Sequence, residues 1–335
     1  VAERASVSQH IQIGVETTPG TSVAASKQLR SIGFTPSPKV TVEQFRPAGQ
    51  KYISLAILGE EWVEATMDGN AVYDELVYPM SSLLGAATVT AGTAGNTASN
   101  SWKFKPQGSQ ADNAKTFTIE HGDPNSRADK FVGALVTDTQ FTMDRTKFTL
   151  TGTLLGQNLT DGITMTAAPA QLPLVPILPS KLNVWIDPTA SALGTTKMSR
   201  VLSLDWHMTN KYGPVWPLDS TQQSYAATVE LVPTLTGSIV LEADVAGMGL
   251  LQNLRSGSTV YIRVGAVGPI IPTCTSATYA FTLDLAAQII NTTGFSDSNG
   301  VYAIGWDFAC VQDSTMDTGT GGSMILTLVN SLATL

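Results

Sequence analysis

In Leu202-Ser-Leu204-Asp-Trp206-His-Met208 every second side chain is apolar. An extended backbone turns successive side chains to opposite faces, so such a segment covers a core with one face and meets water or a partner with the other. The pattern recurs at Tyr225 to Leu231, Val260 to Val264, Phe117 to Ile119 and Ile53 to Ile57, with Thr, Gly and Pro between the segments. A largely antiparallel, mostly β protein follows.

Helical signals are few. Asp68-Gly-Asn70 reads as a capping start to a helix over Ala71 to Leu84 that Gly85 ends and Pro79 shortens or kinks. A second helix is expected over Val245 to Arg255, capped by Asp244 and ended by Gly257.

The 335 residues suit two domains. The Pro-rich stretch over residues 166–180 divides them, because Pro169, Pro173, Pro176 and Pro179 deprive it of the donors an interior strand needs. The expected organisation is an N-terminal arm over 1–29, a first domain over 30–165, this stiff connector, and a second domain over 181–335. Residues 88–101, rich in Thr, Ala, Gly, Ser and Asn, read as an exposed or mobile insertion in the first domain.

The halves also match in order at an offset of about 170 residues, strands, helix, strands, as a tandem duplication would give. Lys39 to Phe45, the turn at Arg46 to Gly49, Lys51 to Leu58 and Trp62 to Met67 answer to Val201 to Met208, a turn at Tyr212, Tyr225 to Leu231 and Ile239 to Ala243. After the helices, Thr116 to Ile119 is matched with Ala280 to Leu283, Lys130 to Leu135 with Val301 to Trp306, and Phe148 to Leu154 with Met324 to Val329.

Charged residues make up only 14% of the chain against 43% hydrophobic, few for a free monomer's surface, which points to partners covering much of it. A net charge of −8 argues against a phosphate-binding face. No apolar run reaches the ~20 residues of a membrane span, and Val1-Ala-Glu-Arg-Ala is unlike a signal peptide, so a cytoplasmic origin is expected. Cys274 and Cys310 read as two buried free thiols ahead of a single disulfide.

The start of the chain carries the sharpest signature: Gly14-Val-Glu16-Thr-Thr-Pro-Gly20-Thr21, then Leu29 and Phe34-Thr-Pro-Ser-Pro38. It resembles the N-terminal segment of siphophage tail tube (major tail) proteins, where a G-x-E-[ST]-x-x-G-T arm precedes the first strand. Trp62 through Gly85 and Phe131-Val-Gly133-Ala extend the resemblance over the first half, the second half following only as a diverged copy. The resemblance implies a β-sandwich or barrel-like tube domain with one short helix, present twice, so that three chains close a ring of pseudo-sixfold symmetry and rings stack into a tube.

It further implies a virion tail assembled in the host cytoplasm, with a tape measure protein and a tail terminator as partners and viral DNA passing through the lumen. The arm motif Gly14, Glu16, Gly20 and Thr21, and the turns at Arg46 to Gln50 and around Tyr212 and Trp216, would reach neighbouring subunits. An acidic lumen would let DNA slide; the candidate acids on polar strand faces are Glu43, Glu64, Asp205, Glu230 and Glu242.

Catalytic and metal chemistry finds no foothold. His10, His121 and His207 form no HxH or HExxH spacing, and an extended Glu60-Glu61 turns its carboxylates apart. Asp297 to Gly300 lacks the other ligands of a calcium loop and reads as a hairpin turn. Gly319 to Gly322 has no following Lys. No cofactor, metal or enzymatic activity is expected. The competing reading is a secreted two-domain β protein that binds carbohydrate or a host surface through aromatics such as Trp206, Trp216 and Tyr225.

Overall fold

The computed structural model describes residues 6–219, 221–298 and 300–335; the first five residues of the expected arm, and position 299 in the Asp297 turn, lie outside them. The described chain is mostly β, with one large and one two-stranded sheet and two helices of more than a single turn. No helix among the described residues is long and apolar enough to cross a membrane.

The first half contains β1 (His10–Val15), β2 (Lys27–Leu29), β3 (Ile32–Phe45), β4 (Leu55–Asn70), α1 (Val77–Leu83), β5 (Thr88–Ala91), β6 (Asn100–Phe104), β7 (Phe117–Gly122), β8 (Ala128–Asp144), β9 (Phe148–Gly156) and β10 (Leu159–Ile163). A short β11 (Ala170–Gln171) lies in the connector. The second half contains β12 (Leu182–Asp187), β13 (Lys197–Met198), β14 (Val201–Thr209), β15 (Tyr212–Val215), β16 (Ala227–Glu230), β17 (Thr234–Glu242), α2 (Val245–Ser256), β18 (Thr259–Ile270), β19 (Thr278–Ser298), β20 (Val301–Cys310) and β21 (Met324–Asn330).

Pairing follows one plan in both halves. In the first, β2 pairs with β1, β1 with β7 and β7 with the start of β8; β10 lies on that strand's other edge, and the end of β8 pairs with β9, β9 with β4 and β4 with β3. In the second, β13, β12, β18, β19, β21, β20, β17 and β14 take the same positions in turn. Each half places its first long helix after the same strand, α1 after β4 and α2 after β17. By this plan β7 stands opposite β18, β8 opposite β19 and β9 opposite β20. The matches expected after the helices are therefore each one strand too late. Alternation alone does not identify a strand, and the correct partners are set by long-range pairing.

The halves join edge to edge. The end of β8 pairs with β14 from Ser203↔Asp144 to Met208↔Thr139, giving a run of eight strands in the order β3-β4-β9-β8-β14-β17-β20-β19. One core lies beneath them: Met67, Phe141, Leu150, Leu204, Trp206, Ile239, Trp306 and Phe308 are buried on a common face. Burial at about 25 cal/mol per Å² makes such aromatics the main apolar contribution to the junction.

Helix α2 begins and ends where its caps predict: the Asp244 carboxylate accepts from Gly247 N at 2.8 Å, and Gly257 adopts φ 65°. Helix α1 is half the expected length. Asn70 still belongs to β4, Val72 forms an isolated bridge with Pro176, residues 73–76 form turns, and Pro79 sits in the first helical turn, where its missing N–H costs no bond.

The insertion over 88–101 is no mobile loop. It forms the β5–β6 hairpin, β6 adds to the edge of β21, and Trp102 donates Nε1–H to the Leu332 carbonyl at 2.9 Å. Asn96 at its tip accepts from the backbone N–H groups of Ser276 and Ala277. Residues 10–29, grouped with the arm by sequence, supply β1 and β2, with Ile13 and Leu29 buried. The connector is extended as expected but packed: Leu172 and Ile177 are buried, and Ile177 N donates to the Ala71 carbonyl. Cys274 and Cys310 are free thiols, as expected, in half-buried residues packed against the core.

Candidate functional site

Opposite the core, the eight-stranded run presents a polar face. Because cross-strand partners share a face, one row reads Asn70, Thr149, Thr142, Asp205, Ser238, Asp307 and Asn291 across seven strands. The next row reads Asp68, Thr151, Gln140, His207, Thr236 and Ala309. Short hydroxyl, amide and carboxylate groups dominate, and neither row contains a Lys or Arg. Such a face carries negative potential and attracts no phosphate chain.

The five acids picked by sequence separate on this map. Asp205 lies at the centre of the polar face. Glu64 is exposed at its margin, 3.7 Å from Lys39 and accepting from Trp62 Nε1. Glu43 sits on the outer arm of the β3–β4 hairpin. Glu242 pairs with Arg200. Glu230 is a structural group: its carboxylate and that of Asp112 hold Lys211, the Lys211 and Asp112 side chains each only 2% exposed, and Lys211 Nζ lies 2.6 Å from Asp112 Oδ2. Burial raises the Asp112 pKa although Lys211 donates to it. Alternation put Glu230 on a solvent face, but Asp112 comes from a distant loop that no local pattern reveals.

The turn candidates lie on two long hairpins. In β3–β4, Arg46 and Gln50 flank the turn that Gly49 permits at φ 81°, and the arms expose Val42, Tyr52, Ile53, Leu55, Ile57 and Leu58, with Tyr52 73% exposed. At β15–β16 the tyrosines are covered by the chain's own first half, while Val215, Leu218 and Val229 stay exposed. Tyr212 donates to the Leu83 carbonyl, Tyr225 donates to the Gly133 carbonyl and is only 3% exposed, and Trp216 packs edge-on against Trp62. A sugar platform is not formed by Trp206 and Tyr225, since both are buried.

The arm motif works inside the chain. The buried Glu16 carboxylate accepts from Gly20 N at 2.8 Å, Thr118 Oγ1 at 3.0 Å and Gly133 N at 2.8 Å. Gly20 has φ 78°, and a Cβ there would stand 2.7 Å from Gln157; a Cβ on Gly14 would stand 2.5 Å from the Ala24 carbonyl oxygen. Thr21 N closes the turn onto the Thr18 carbonyl.

Sequence reasoning missed the same staple in the second half. Asp187, at the end of β12 as Glu16 follows β1, accepts from Gly194 N, Thr195 N and Oγ1, and Thr196 N at 2.8–3.2 Å. Burial opposes ionisation of Asp187, yet these bonds hold its carboxyl below the usual range. The signal was readable: an acid closing the first strand, then Gly-Thr, at Glu16 with Gly20-Thr21 and at Asp187 with Gly194-Thr195.

Among the described residues no group of three or more His, Cys, Asp or Glu is placed to hold a metal ion. No protein-family model matches the chain, and no curated protein matches it.

Proposed function

We propose that this chain is the structural subunit of a long, non-contractile phage tail tube, built from one β domain in two tandem copies and without a catalytic step. One observation carries the reading. The end of β8 pairs with β14 inside the chain, while their counterparts, the end of β19 and strand β3, are the two open edges of the eight-stranded run. A junction made once within the chain can be made again between chains, the end of β19 meeting β3 of the next copy. Such a head-to-tail contact generates a ring when its rotation closes, and leaves neither edge of this run open.

The resemblance to tail tube proteins sets six domains, hence three chains, to the ring. Pro36 and Pro38 remove two donors from β3, which blunts indiscriminate pairing and leaves Ile32–Thr35 and Lys39–Phe45 to carry the bonds. The polar face, with Asp205 and Asp307 at its centre, becomes the lumen wall past which viral DNA slides. The apolar β3–β4 hairpin packs on a neighbouring subunit, as Tyr212 and Tyr225 beside β15–β16 pack on the chain's own first half. A tape measure protein and a tail terminator are the partners this role implies, and the virion tail is its location.

Negative-stain imaging of the purified protein tests the reading. Rings or tubes with a hole wide enough for duplex DNA are expected. A monodisperse monomer by light scattering at high concentration would exclude it.

A further inference from the structure

We propose that the projecting end of the β19–β20 hairpin seats over the corner where β1, β2 and β3 meet on the next copy of the chain. The inference rests on the ring reading above and specifies one of its contacts.

The template is internal. Where the halves join, the β8–β9 turn at Met143, Asp144 and Arg145 closes over a cavity walled by Asn183 of β12, Met198 of β13 and Leu202 of β14. The matching corner of the first half is an open cleft of His10, Gln28, Arg30, Ser31 and Asp68, over which no turn of the described residues closes. By the shared pairing plan, the turn that belongs there is the one between β19 and β20, and it must come from another copy.

That turn is shaped for the task. Strand β19 has 21 residues against 17 in β8, so its hairpin projects further. Near its end Phe295 and Tyr302 stack with centroids 5.0 Å apart and planes at 6°, yet they are 54% and 63% exposed. Phe295 is opposite Ile304, so the pair lies on the core-facing side of the sheet and prolongs the apolar layer past the last covered residue. Inside the chain the same layer crosses the junction as the stack of Phe141 on Trp206. Stacked aromatics left in water at a projecting edge are characteristic of an interface anchor.

Charge agrees with the seat. Asp297 at the turn is exposed and bonds only the Gly300 N–H, while the Arg30 guanidinium has no hydrogen-bond or ion-pair partner among the described residues. Asp68 is the one acid among the cleft's lining residues.

The test compares the wild type, the double variant Phe295→Ser/Tyr302→Ser, the single variants Arg30→Glu and Asp297→Arg, and the combined charge swap. Sedimentation velocity reads the concentration needed for assembly, electron microscopy reads its form, and thermal unfolding verifies each fold. The aromatic variant should need about tenfold more protein or greater, each charge reversal should weaken assembly, and the swap should restore part of the loss. Assembly at wild-type concentrations by the aromatic variant, with no rescue by the swap, overturns the seat and leaves the ring reading intact. Rings that form normally but fail to stack place the hairpin between rings, which also overturns it. A wild type that forms no rings at any concentration overturns the ring reading itself.

Discussion

Phe141 of β8 and Trp206 of β14 stack 5.0 Å apart at 28°, one ring from each half of the chain and both fully buried. The halves therefore share a core and should unfold together. Trp206→Ala is expected to lower stability by about 3–5 kcal/mol while leaving a single transition. Urea unfolding followed by far-ultraviolet circular dichroism checks both; two separate transitions in the wild type would contradict a common core.

Lys211 holds two carboxylates at once, so its loss should exceed that of a surface ion pair. Lys211→Met leaves Asp112 and Glu230 close together and uncompensated, at an expected cost of about 3–5 kcal/mol. Adding Asp112→Asn and Glu230→Gln should recover much of it. Equal melting temperatures for the single and triple variants would refute the argument.

Asp74 has a different pH signature. It is buried with Oδ2 unpartnered, and burial pushes its pKa up to about 6, against the bonds from Ser331. A carboxyl raised in the fold favours the folded state fully below its unfolded value, and that contribution is lost as pH climbs from about 4 to about 6. Asp74→Asn should flatten this part of the stability profile and raise stability at pH 7–8 by about 1–3 kcal/mol. Melting curves at half-unit pH steps read the effect.

Glu16 and Asp187 staple equivalent loops. Glu16→Ala and Asp187→Ala should each cost about 2–4 kcal/mol by leaving several buried donors unpaired. Gly20→Ala should also destabilise, through its φ of 78° and the Gln157 contact. Thermal melts of the three variants compare them directly; a neutral Asp187→Ala would break the equivalence of the halves.

The polar face makes a prediction about cargo. Asp205→Arg with Asp307→Arg should still assemble, since neither side chain enters the core, but the product should retain duplex DNA in a salt-dependent way. Filter binding at several salt concentrations distinguishes it from the wild type, which should retain none.

Much of this architecture could be read locally. The alternation of β14 and both caps of α2 lie where short-range rules put them, because side-chain period and cap chemistry are decided within a few residues. What escaped is decided at a distance. The matches after the helices slipped by a strand because β8 and β19 each serve two sets of neighbours, and a bulge at Val136/Asp138 breaks the alternation that would mark β8 as one long strand. Glu230 looked like a wall acid until Asp112 and Lys211 were seen beside it. The polar insertion looked unstructured because its partner, β21, lies at the far end of the chain.

That last pairing sets a timetable for synthesis. Trp102 meets Leu332 across 230 residues, so on the ribosome the β5–β6 hairpin waits roughly ten to fifty seconds for the strand that completes it. Until β21 has emerged the nascent chain carries an unfinished edge, and only then can the β5–β6 hairpin be closed into the sheet.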